Sequence, residues 1–114
     1  MILVIGSRAS GKRAYIQSLG YTDVQISDGT LDEKPVLYGL EQLVFAAPET
    51  APALLSPLCE KEVVACCEVG SGIIPLEKAD REAREATGRL CVQLAQRADK
   101  VIRLVAGIPT VIKG

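Results

Sequence analysis

The chain has no histidine and no tryptophan, and only one phenylalanine and one methionine among its 114 residues. Without imidazole there is no histidine general base, no histidine-bearing metal site and no phospho- or nucleotidyl-histidine intermediate. An excess of either charge is also missing. Thirteen basic and fourteen acidic side chains leave a formal net charge of −1. A basic surface, which non-specific binding to nucleic acid or anionic membrane requires, is therefore not expected. No apolar run approaches the ~20 residues that span a bilayer. The N-terminus starts directly on a strand-like run with no basic region before it, so no signal peptide is read and a cytoplasmic location is expected. Cys59, Cys66, Cys67 and Cys91 show no Cys-x-x-Cys spacing. They read as reduced thiols used as small apolar side chains, not as zinc ligands, and no metal-ligand set is identified.

What is present begins with Ile2-Leu3-Val4-Ile5, followed at once by Gly6-Ser7-Arg8-Ala9-Ser10-Gly11-Lys12-Arg13. Strand, glycine-rich turn and helix in this order form a phosphate-binding loop, Gly-x4-Gly-Lys-Ser/Thr, with its last position changed. Gly6 and Gly11 let the backbone turn and approach phosphates closely. Amides from Ser7 to Gly11, together with Lys12, would supply the positive potential. The residue after the lysine normally offers a hydroxyl to Mg²⁺, and Arg13 cannot ligate a cation. The loop thus reads as a site for GTP or ATP in which any role of Mg²⁺ is weakened. The alternative is a glycine-rich turn that binds nothing.

With 48% apolar residues, the length suits one domain over residues 1–114. A first helix is expected after Lys12, closed by Gly20. Alternation predicts a strand over 23–27, a polar loop over 30–36, a helix over 37–45 and a short helix over 51–58. A second buried strand is expected over 62–67. It feeds a glycine-rich loop, Glu68-Val69-Gly70-Ser71-Gly72-Ile73-Ile74-Pro75, and a long helix over 77–98. In that helix Ala79, Ala83, Ala86, Leu90, Leu94 and Ala98 make one stripe. Glu77/Arg81, Asp80/Arg84 and Glu85/Arg89 make an exposed charge lattice. Strands over 101–105 and 110–112 close the chain. The alternation predicts an α/β fold: a mainly parallel sheet flanked by helices, like a P-loop NTPase. Both glycine-rich loops should lie at the carboxyl edge of that sheet. Cys66 and Cys67, neighbours in a strand, should point to opposite faces.

The segments Glu68-Val69-Gly70-x-Gly72-Ile73-Ile74-Pro75, Gly88-Arg89-Leu90, Ala98-Asp99-Lys100-Val101 and Gly107-Ile108-Pro109, in this order and spacing, carry a resemblance. The chain resembles the adenosylcobinamide kinase / adenosylcobinamide-phosphate guanylyltransferase family of vitamin B12 assembly, as a short, degenerate member. The resemblance is best over residues 63–113. The loop from Gly6 to Lys12 fits the same family, while residues 21–58 align poorly. The family implies phosphorylation of cobinamide, then GMP transfer from GTP, and a tendency to form homo-oligomers. Its partners would be a nucleotide and a cobinamide-type corrinoid. Carried over, Gly6, Gly11 and Lys12 would hold triphosphate, Gly70 and Gly72 would shape the second loop, and Lys12 and Glu68 would be the catalytic pair. Glu68 has plainer alternatives, as a cap of the long helix or a partner of Lys12, and Arg89 reads either as phosphate-facing or as part of the charge lattice.

Three departures stand out. There is no histidine to guanylylate, Arg13 replaces the loop hydroxyl, and no strand ending in Asp offers itself as a second Mg²⁺ anchor. Three readings remain: a kinase-type phosphotransferase, an inactive nucleotide-binding regulatory or scaffold protein, or an α/β domain that binds nothing and serves as an assembly subunit. In every case incubation with labelled GTP should give no covalent adduct through nitrogen. A stoichiometric adduct stable to base and labile to acid would contradict this.

Overall fold

The computed structural model describes residues 1–68 and 78–114. The elements are β1 (Ile2–Gly6), α1 (Lys12–Ser18), β2 (Ile26–Asp28), β3 (Val36–Tyr38), α2 (Leu40–Ala46), α3 (Ala51–Cys59), β4 (Val63–Cys67), α4 (Lys78–Arg97), β5 (Lys100–Val105) and β6 (Ile108–Lys113). Among the described residues the strands form one sheet in the order β2-β3-β4-β1-β5-β6. β1 to β5 run parallel, and β6 returns antiparallel against β5. This is an α/β, P-loop-like fold, as the alternation predicts.

β1 lies between β4 and β5 and is covered on both faces, which is why it is an unbroken apolar run. Leu3 faces one core, together with Leu37, Leu40, Val44, Val64, Leu90 and Leu94. Val4 faces the other, with Ile16, Val36, Val63, Ile102 and Leu104. The first core is roofed by α2, α3 and α4 and the second by α1, whose Ile16 is buried. β1 and β4 are thus neighbours followed by helices on opposite faces. Parallel α/β sheets form a ligand crevice beyond the strand ends at such a point.

The predicted stripe of α4 holds for Ala83, Ala86, Leu90, Leu94 and Ala98, which are buried, whereas Ala79 is exposed. Thr87 joins the buried face, its hydroxyl donating to the Ala83 carbonyl at 2.7 Å. The expected Glu85–Arg89 pair forms at 3.8 Å on the solvent side. Cys66 is buried in the first core while Cys67 is only half-buried, in keeping with opposite faces. All four cysteines are free thiols.

Two segments differ from expectation. Residues 23–25 form a 3-10 turn, and the strand begins only at Ile26. Thr22 and Gln25 close a capping box around that turn, a local hydrogen-bonding solution that competes with the strand ladder. Residues 36–38, expected to divide between a loop and a helix, form β3. Gly39, at φ 78, then turns the chain into α2. Leu37, Leu40 and Val44 suggest one helix by their spacing, but they converge on one core from a strand and a helix. Three residues are too few for a period of two to be seen.

Leu94 is fully buried on α4. Leu94→Ala should destabilise the fold by about 2–5 kcal/mol, the range for a deleted core leucine. A denaturant midpoint compared with wild type would measure it, and a negligible shift would mean that α4 is not docked as described.

Candidate functional site

Beyond the carboxyl ends of β1, β3 and β4 lies a cavity of 640 Å³. The β1–α1 loop lines it with Ser7, Arg8, Ala9 and Lys12, the β3–α2 turn with Tyr38, Glu41 and Gln42, and the end of β4 with Cys67 and Glu68. Lys12 and Glu68 therefore share one edge and one cavity, as parallel pairing of their strands requires. The Glu68 N–H donates to the Gly6 carbonyl at 2.9 Å, tying the two strand ends together.

The loop geometry explains its glycines. A Cβ on Gly6 would stand 2.8 Å from the Leu104 carbonyl oxygen. Gly11 sits at φ 94, and its Cβ would meet the Gly107 Cα at 3.1 Å. Ala9, at φ 60, takes a left-handed conformation without being glycine, a local strain of the kind found at ligand-binding loops. The Ser10 N–H donates to the Ser7 carbonyl at 3.1 Å, and the Gly107 N–H donates to the Ser10 carbonyl at 2.9 Å. The β5–β6 turn therefore braces the loop from behind.

Lys12 is 3% exposed. Its ammonium donates to the Ser7 carbonyl at 2.9 Å and the Gly6 carbonyl at 3.3 Å, and lies 3.5 Å from the Cys67 sulfur. Three acceptors meet three N–H donors, as a buried ammonium requires. Sulfur is the weakest of the three, so it is the contact a phosphate oxygen would displace at least cost. Burial pushes the Cys67 thiol above its ordinary range, the Glu41 carboxylate adds to this, and Lys12 opposes it.

Other candidates fall elsewhere. Glu68 neither pairs with Lys12 nor caps a helix in the contacts described. Arg103 of β5 holds it with both ends of the guanidinium, Nε at 2.6 Å and Nη2 at 3.2 Å. Arg103 lies opposite Ile5 in the sheet register, one step from the loop. Its signal in the sequence is a charge inside the apolar run Val101-Ile102-Arg103-Leu104-Val105. Ser10 is buried, and its hydroxyl has no partner among the described residues. Arg13 does not line the cavity. Its Nη1 donates to Asp28 at 2.7 Å and its Nη2 to Asp23 at 3.2 Å, and the guanidinium lies 5.3 Å from the centre of the Tyr38 ring. Pairing with Asp28 raises its pKa further. β2 ends in Asp28, but Arg13 engages that carboxylate. Gly70 and Gly72 lie outside the described residues.

Glu41, like Tyr38, Gln42 and Arg103, was missed by sequence reasoning. It stands in the first turn of α2 and accepts the Cys67 N–H at 3.0 Å. Gly39-Leu40-Glu41 would have signalled a second strand-turn-helix unit had β3 been recognised.

The family model described as cobinamide kinase / cobinamide phosphate guanyltransferase matches residues 33–112. The chain belongs to this family. It is 38% identical over 72 residues to the bifunctional adenosylcobalamin biosynthesis protein CobU of Salmonella typhimurium. That alignment takes in 63% of this chain and 36% of the relative, so the chain spans little more than a third of it. The phosphate-loop pattern, residues 6–13, precedes the segment matched by the family model. The family match and the loop reading are therefore independent observations.

Glu41→Ala would remove the acceptor of a partly buried N–H. A loss of about 1–3 kcal/mol in unfolding free energy is expected. Thermal and denaturant melts would measure it, and an unchanged stability would mean that the Glu41–Cys67 contact contributes nothing.

Proposed function

We propose that this protein binds GTP or ATP in the Lys12 cavity and serves cobalamin biosynthesis as a kinase-type phosphotransferase acting on a cobinamide-type corrinoid. The single observation that carries this reading is the buried Lys12 ammonium. It is seated on its own loop, at the carboxyl ends of parallel strands, in a chain of the cobinamide kinase family. Phosphoryl transfer requires positioned charge more than a covalent group, so the absent histidine removes only the family's guanylyl-transfer route. The catalytic residues are Lys12 and Glu68, with Gly6 to Gly11 as the phosphate cradle.

A second reading is favoured by one contact. Glu68 is held bidentately by Arg103, which suits a nucleotide-binding regulatory or scaffold protein without turnover. A homo-oligomer fits either reading. β6 is an open edge strand with Ile108 67%, Val111 57% and Ile112 56% exposed, and such edges tend to pair with another chain.

Calorimetric titration with GTP and ATP tests the binding. Lys12→Ala should weaken it by about 1–3 kcal/mol, the range for a charge-assisted hydrogen bond. Equal affinity in the variant would move the site elsewhere. Glu68→Gln separates the two readings. Loss of phosphoryl transfer with binding retained supports the kinase. No change in any assay except a lower melting temperature supports the binding protein.

A further inference from the structure

P-loop proteins hold magnesium with the hydroxyl after the loop lysine and with an acidic residue on a neighbouring strand. The residues at those places here do not fit a cation. Arg13 follows Lys12, and of the strands on this side of β1 the adjacent β4 ends in Cys67 and β3, one strand beyond, ends in Tyr38. Arg13 and Tyr38 are in contact, the guanidinium lying over the phenol ring at 5.3 Å, a cation–π geometry. Asp28, opposite Tyr38 in the sheet register, is the next carboxylate along this edge. It accepts from Arg13 Nη1 at 2.7 Å. Asp23 accepts from Arg13 Nε and Nη2 at 3.3 and 3.2 Å and from Gln17 Nε2 at 2.9 Å. These ion pairs are partly exposed, and each is weak alone. Together with the stacked ring they fix the guanidinium in one place.

Substitute ligands are few among the described residues. The Ser10 hydroxyl is buried against Gly6, outside the cavity lining. Glu68 is engaged by Arg103. One Glu41 oxygen accepts the Cys67 N–H.

We infer that the phosphate cavity binds its nucleotide without help from a metal, because Arg13 and Tyr38, the guanidinium lying over the ring and anchored by Asp28 and Asp23, stand at two positions from which a P-loop cation is held. The inference rests on the nucleotide-binding reading above. It adds that no side chain holds a cation on the bound phosphates, so that the metal complex and the free nucleotide bind alike, their charge met by Lys12 and Arg8 of the cavity lining.

The test is equilibrium binding of GTP and ATP to the wild-type protein, in excess MgCl₂ and in excess EDTA. The expected result is the same dissociation constant within about twofold. A loss of about tenfold or more in EDTA overturns the inference and leaves nucleotide binding intact. If Glu41→Gln abolishes such a dependence, Glu41 is the metal anchor and the inference is equally overturned. No saturable binding in either buffer would instead refute the nucleotide site itself, and the inference with it. The double variant Arg13→Ser/Tyr38→Asp restores both ligand types. With its fold verified by circular dichroism, it should gain at least about a tenfold preference for Mg²⁺. A folded double variant that stays indifferent to metal would also overturn the assignment.

Discussion

The cavity depends on the parallel pairing of β1 with β4. That pairing sets Gly6 against Cys67, brings the Glu68 N–H onto the Gly6 carbonyl and places the Cys67 sulfur beside the Lys12 ammonium. A buried ammonium must find acceptors or lose its charge. Here the loop carbonyls and the neighbouring strand provide them. An antiparallel β4 would have carried Cys67 and Glu68 to the far end of the sheet, and Lys12 would have lost one of its three partners. The two-sided burial that selects apolar residues for both strands is thus also what gathers the polar groups at their ends.

Around the cavity the charged side chains are mostly committed to one another. Arg103 holds Glu68, and Arg13 holds Asp23 and Asp28. Lys12 is saturated by two carbonyls of its own loop and the Cys67 sulfur. This arrangement is stable without a ligand, and a phosphate entering it would compete with partners already in place. The displaceable partner is the Cys67 sulfur, the poorest acceptor of the set. Glu41 faces the same cavity and adds a negative charge, so the site favours anions only where Lys12, Arg8 and the loop amides outweigh it.

Several features were legible in advance because they are local. The loop from Gly6 to Lys12 needs glycine where the chain passes close to Leu104 and Gly107, at Gly6 and Gly11, and those demands appear directly as residue types. The stripe of α4 is legible because twenty residues repeat the helical period several times. β3 was not, because three residues between Pro35 and Gly39 carry no period. Its Leu37 also falls by chance at helical spacing from Leu40 and Val44. With β3 hidden, the turn that delivers Tyr38, Glu41 and Gln42 to the cavity was hidden as well.

The α/β alternation, the glycine-rich loop after β1, the absence of histidine chemistry and the family could all be read from residue identity or short spacing. The partners of the charged groups could not. Glu68 pairs with Arg103 and not Lys12, Arg13 turns to Asp28 and Tyr38, and Glu41 enters the cavity. The cause is physical: an ion pair forms with whichever opposite charge the sheet register brings within reach. Register is set by core packing far from the charges themselves.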